Sequence, residues 1–128
     1  MNYTTNVGER GVATEETKRL IASDKVEGTA IFDRAGKHLG RVHHLMIDKY
    51  SGQVMYVVAS FGGFFGIGEN WIPLPWRALN YEPRVAGYVV DVDRNKLERA
   101  PNYASNMEPD WSDRAFGDEI EQYWFPPL

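Results

Sequence analysis

The sequence of 128 residues predicts a mainly β fold, a small six-stranded antiparallel barrel with short flanking helices. Three observations point there. Beyond Ser23 the apolar residues alternate with a period of two. Turn signals built on Asp/Gly, Ser/Gly and Asn return about every ten residues. No helical stretch long enough to form a crossover separates the strands, so neighbours pair antiparallel. Strands this short and this closely joined cannot bury two faces in a flat sheet, and closure into a barrel is the natural solution.

The elements follow in order. Residues 1–19 carry Gly8 and Gly11 and few large apolar groups, which predicts a flexible N-terminal segment. Within it, "TEETKRLIAS" supplies a capping threonine, first-turn glutamates and then basic residues, the charge order that suits a short helix from Thr14. The barrel is expected over residues 20–103, with strands in "GTAIFD", "LGRVHHLMIDK", "VMYVVASF", "NWIPLP", "RALNY" and "GYVVDVD". In "VMYVVA" both faces are apolar. Val54, Tyr56 and Val58 are expected to fill the barrel, leaving Met55, Val57 and Ala59 outside in need of a cover. One or two helical turns over 94–99 stop before Pro101.

Residues 104–128 form an aromatic tail. Asp110 or Ser112 caps a helix in which Phe116, Ile120, Tyr123 and Trp124 fall on one apolar stripe. Gly117 inside that helix costs about 1 kcal/mol relative to alanine, so the helix needs a docking surface to persist.

Composition narrows the function. The net charge of −4 is spread along the chain, leaving no basic field to attract a phosphate backbone, and direct nucleic-acid binding is not expected. Cysteine is absent, which removes disulfides, thiolate metal sites and thiol nucleophiles and suits a reducing cytoplasm. Neither a secretory leader nor an apolar run of about 18 residues occurs, so a cytoplasmic protein without a membrane span is expected.

The motifs that suggest chemistry fail on inspection. "GFFGIGEN" spaces Gly63 and Gly68 like a phosphate-binding loop, but Glu69 stands where the lysine should be and "WIPLPW" cannot open a helix. Asp91, Asp93 and Asn95 mimic the start of a calcium loop, yet Lys96 replaces its glycine and Asn102 its bidentate glutamate. His43 and His44 are adjacent on a strand, so strict alternation sends them to opposite faces, unable to share a metal ion. Trp71, Trp76 and Tyr81 could stack bases, but Arg77 and Arg84 are the only cations near them in sequence, and packing is the better account. No serine sits in a nucleophile-elbow context and no carboxylate pair identifies itself as an acid/base couple. The sequence thus predicts no catalytic residue, no cofactor and no metal.

From Leu20 to about Tyr103 the chain resembles a PRC-barrel domain. The resemblance is carried by Gly36, Gly40 and Val42; by Asp48, Ser51, Gly52, Val54, Tyr56 and Val58; and by Ser60, Gly62, Gly63, Phe64, Gly66, Gly68, Pro73, Pro75 and Trp76. It implies a six-stranded β-barrel of the kind found in the cytoplasmic domain of the photosynthetic reaction-centre H subunit, in a ribosome maturation factor and in many stand-alone bacterial proteins. The glycine-rich stretch is then a bent strand connection rather than a ligand loop. No catalytic residue comes with the resemblance. The expected function is a non-catalytic interaction or assembly module with an unidentified protein partner; the alternative is a ribosome or RNA-processing accessory factor that binds a ribosomal protein.

Counting faces also predicts a homodimer, the commonest way to hide one leftover apolar patch. Its interface is expected near Met55, Phe64, Phe65, Ile67 and Trp71. Phe116, Ile120 and Trp124 of the tail are expected to dock on the barrel or on a partner.

Overall fold

A computed structural model describes residues 19–61 and 70–128 of the chain. Its elements are a helical turn α1 (Ser23–Val26), strands β1 (Ala30–Phe32), β2 (His38–Ile47), β3 (Val54–Ser60) and β4 (Asn70–Pro75), a 3-10 turn (Trp76–Ala78), strands β5 (Asn80–Glu82) and β6 (Gly87–Val89), helix α2 (Arg94–Glu98), strand β7 (Tyr103–Ala104) and helix α3 (Arg114–Trp124). The helix expected from Thr14 falls mostly outside the described residues.

The mainly β architecture matches the sequence reading, and its details differ from the expected six-stranded antiparallel ring. Among the described residues seven strands form one sheet in the order β5-β6-β1-β2-β3-β4-β7. The extra strand straddles the expected boundary between barrel and tail, where Tyr103 and Ala104 pair with Trp71 and Asn70. One pairing is parallel: β6 returns alongside β1, with Ile31 opposite Tyr88 and Phe32 opposite Val89. Among the described residues no ladder joins the two edge strands β5 and β7.

The β2–β3 hairpin is the frame. Asp48 closes its turn, with Oδ1 accepting from the backbone N–H of Tyr50 (2.8 Å) and of Ser51 (3.1 Å). Gly52 follows at φ +79°, a left-handed conformation that a side chain would strain. Those two bonds hold the exposed Asp48 carboxyl below the usual carboxylate range. Further along β2, Gly40 lies so close to the end of β3 that a Cβ there would collide with the Ser60 carbonyl and the Phe61 ring. Glycine is required at Gly40 for packing, not for its backbone angle.

One connected core gathers Ile31, Leu39, Val42, Val57, Ala59, Ile72 and Leu74 from the strands, Val90 just after β6, Leu97 from α2, and Ile120 and Trp124 from α3. This reverses the face assignment for β3. Val57 and Ala59, expected outside, are fully buried in that core, and of their set only Met55 reaches solvent, at 47% exposure. Val58 is equally buried. The second face is therefore covered too, and the cover comes from the same chain: the Trp111 ring lies 5.6 Å from that of Tyr56, and the backbone of α3 passes the Tyr56 hydroxyl at Gly117, where a Cβ would sit at 3.1 Å.

The tail helix carries the predicted stripe, with Ile120 and Trp124 buried and Phe116 and Tyr123 partly so. Its cap is Asp113, whose side chain accepts from the Ala115 N–H at 3.0 Å. Asp110, expected as the cap, instead binds the Ser112 N–H (3.0 Å) and hydroxyl (2.6 Å) one turn earlier. Several contacts fasten the helix: the Tyr123 hydroxyl donates to the Lys96 carbonyl (2.6 Å), Arg77 pairs with Glu121, the Arg77 guanidinium lies 4.1 Å from the centre of the Phe125 ring, and the Lys96 ammonium lies 5.3 Å from that of Trp124. Asp93, in the calcium-loop look-alike, caps α2 by accepting from the Lys96 N–H (2.9 Å).

Candidate functional site

Two aromatic surfaces flank the core. The first corrects the sequence reading. His43 and His44 do not part to opposite faces: their Nδ1 atoms are 2.8 Å apart and both rings lie against Trp71, at centroid distances of 4.2 Å and 5.3 Å. The cause is an irregularity in β2. Val42 pairs with Ala59, but His44 pairs with the adjacent Val58, so two steps on β2 match one on β3. Alternation breaks at that bulge, and His43 turns toward the ring it would otherwise have faced away from.

Trp71 sits where three strands meet, opposite Ser60 of β3 and Tyr103 of β7. Its ring meets Tyr103 edge-on at 6.0 Å; Tyr103 meets Trp111 at 5.7 Å, and Trp111 meets Phe116 of α3 at 5.9 Å. The Trp111 indole N–H donates to Glu108 at 2.7 Å. The buried Tyr103 hydroxyl has no hydrogen-bond partner among the described residues. Burial, assisted by the Glu108 carboxylate, pushes its pKa up to about 12. Partial burial and the neighbouring His43 push His44 below the ordinary imidazole value, against opposing pulls from Glu108 and Glu27. Two imidazoles brought together are a partial metal-ligand set, but no group of three or more His, Cys, Asp or Glu converges among the described residues.

The second surface is open. Trp76 meets the buried Tyr88 edge-on at 5.7 Å, and Tyr88 meets Tyr81 at 5.4 Å. Tyr81 is 52% exposed and Trp76 38%. Beside them Met55, Tyr56, Pro75, Trp76, Arg77 and Glu121 line a shallow groove of about 530 Å³. The ion pair of Arg77 with Glu121 forms one wall, so the tail frames this groove without filling it.

The residues expected at an interface divide accordingly. Met55 is exposed in the groove, while Trp71 is half-buried in the histidine cluster. Ile120 and Trp124 are consumed by the chain's own core and offer no surface, and Phe116 is partly buried against Trp111. Phe64, Phe65 and Ile67, like most of "GFFGIGEN", lie outside the described residues. Sequence reasoning missed the cluster of His43, His44 and Trp71 because strand alternation, applied without a bulge, separates them. Trp76 and Tyr81 were visible as aromatics, but nothing in the sequence distinguished their exposure from the burial of Trp124.

What these surfaces define is a β domain that ends in its own aromatic cover and presents a second aromatic face to solvent. The PRC-barrel domain model matches residues 18–97, more than half of the chain, and the protein belongs to that family. The match ends within α2, so β7, Trp111 and α3 lie beyond the matched span. No curated protein matches the sequence. No helix among the described residues is long and apolar enough to cross a membrane.

Proposed function

We propose that this PRC-barrel protein is a non-catalytic interaction and assembly module, acting in the cytoplasm, and that a second copy of the chain is one of its partners. One observation carries the reading. Met55 and Trp76 are solvent-exposed and share one groove, and Trp76 is linked through Tyr88 to the exposed Tyr81, although the chain hides comparable side chains elsewhere under its tail. Rigid aromatics and a methionine around a shallow apolar groove, rimmed by an arginine and a carboxylate, are the composition of a protein contact surface. A twofold arrangement would cover the groove with its own copy and close the assembly.

The test is sedimentation equilibrium of the full chain at micromolar concentration, beside Met55→Ser and Trp76→Ala variants. A dimer that weakens at least about tenfold in each variant, near 1.4 kcal/mol, is expected. A clean monomer mass for the unaltered chain, or a dimer indifferent to both substitutions, overturns the reading.

A further inference from the structure

The contact between His43 and His44 has a strict proton requirement. At 2.8 Å one Nδ1 must donate and the other must accept, so the pair holds together only while a single proton lies between the two nitrogens. With both imidazoles charged, each Nδ1 carries a hydrogen and the two N–H groups point at each other. The contact must then open. Sequence adjacency prevents the rings from drifting far apart, so opening requires at least one of them to rotate away from Trp71.

The surroundings determine which ring is sensitive. His43 is exposed and lies at a tilt of 33° to the Trp71 ring; His44 is half-buried and meets it edge-on at 74°. The charged groups facing His44 are His43 on its own strand, Glu108 from the segment after β7, and Glu27 from the turn before β1. Its other neighbours named among the described residues are uncharged at neutral pH: Val58 opposite it on β3, Trp71 on β4, and Tyr103 beyond Trp71 on β7. The two carboxylates favour a charge on His44, while burial and the adjacent imidazole disfavour it.

We propose that the pair of His43 and His44 is a proton-operated latch on Trp71, closed while one Nδ1 proton is shared and opened when both imidazoles are charged. Trp71 is the first link in a row of rings that continues through Tyr103 and Trp111 to Phe116 on the tail helix. The latch therefore acts at the start of the chain's own cover, and the tail helix supplies the fourth ring of that row. The lowered affinity of His44 for a proton places the opening below the ordinary imidazole range, in mildly acidic solution.

The experiment uses the full chain labelled with 5-fluorotryptophan, whose four tryptophan signals are followed by fluorine NMR between about pH 8 and pH 5, the span in which imidazoles titrate. Trp71→Phe identifies the Trp71 signal. That signal is expected to shift in one step with a midpoint below that of a free imidazole. Long-range proton–nitrogen spectra should show one protonated and one bare Nδ1 above the step, and two protonated below it. In His43→Gln, an exposed site where the fold is not at stake, the repulsion is gone, and the step should move to higher pH with a smaller amplitude. A Trp71 signal that ignores pH, or one that titrates identically in His43→Gln, overturns the proposal. So does zinc(II) that, added at neutral pH to one equivalent, perturbs both Nδ1 resonances stoichiometrically, since the pair would then be a metal-ligand set.

Discussion

The rings of Trp71, Tyr103, Trp111 and Phe116 and those of Trp76, Tyr88 and Tyr81 are spaced almost alike, with neighbouring centroids at 5.7 to 6.0 Å in the first row and 5.4 to 5.7 Å in the second. The first row runs from Trp71 into residues 103–116, beyond the matched domain, and encloses the Tyr103 hydroxyl, which has no partner among the described residues. The second row lies within the matched domain and ends in solvent at Trp76 and Tyr81. Side-chain type does not separate the two. What separates them is the tail, which passes over one face of β3 and β4 and stops at the rim of the other surface, where Arg77 and Glu121 meet. An aromatic row in this protein is core or contact surface according to whether the chain's own tail reaches it.

The largest effect that can break this comparison is expected at the covered face. Ile120 is fully buried and belongs to the same core as Leu74 and Leu97. Ile120→Ala should cost about 2–5 kcal/mol and lower the urea midpoint accordingly, because the helix carrying it already bears a glycine and cannot collapse freely into the void. A loss below about 1 kcal/mol would show that the tail rests on the domain without being part of its core.

A smaller effect is expected in alkali. Tyr103 has its pKa raised from 10.0 to about 12 in the folded chain, so between those values the unfolded chain releases a proton that the folded chain keeps. Stability from this group is complete below about pH 10 and declines as pH rises toward 12, by on the order of 1–3 kcal/mol. Tyr103→Phe should remove that part of the alkaline decline and, by removing a buried hydroxyl without a partner among the described residues, should be neutral or slightly stabilising at pH 7. Denaturant midpoints measured across the alkaline range for both proteins check it; an unchanged alkaline slope in Tyr103→Phe would contradict the enclosure of that hydroxyl.

The smallest effect sharpens the other half. Trp76→Ala should change the midpoint of the isolated monomer by less than about 1 kcal/mol, since the ring is 38% exposed and lies in an open groove outside the core. A loss as large as that at Ile120 would make the open row a structural one and remove it from consideration as a contact surface.

Much of the fold was legible because its signals are local. The strands at β2, β3 and β4, the Asp48 turn, the cap at Asp93 and the stripe of Ile120 and Trp124 each depend on residue type at short spacing. The bulge between Val42 and His44 was not legible, because it is a mismatch between two strands and neither strand records it alone. The choice of face in β3 failed for a related reason: Val57 and Val58 are equally apolar, and only the positions of Ile72, Leu74 and Trp111 decide which side meets the core and which meets the tail. The two residues of β7 carry too little pattern to announce a strand. At the candidate surfaces the aromatics were visible in the sequence, whereas the meeting of two histidines on one tryptophan depends entirely on that unseen mismatch.

The parallel pairing of β1 with β6 bears on how the chain reaches this structure. Every other ladder except that of β7 joins strands that follow one another along the sequence, and the β2–β3 hairpin comes with its turn already fastened by Asp48. Ile31 and Tyr88, by contrast, come from opposite ends of the matched span, and their contact is reached only after the intervening strands are in place, since closing so long a loop earlier would forfeit entropy with nothing gained in return. This seam is therefore expected to form late and to part early. Substitutions that weaken it, at Gly87 or Tyr88, should quicken unfolding far more than they slow folding, so the lifetime of the native state, rather than the speed of reaching it, is governed by a two-residue ladder between β1 and β6.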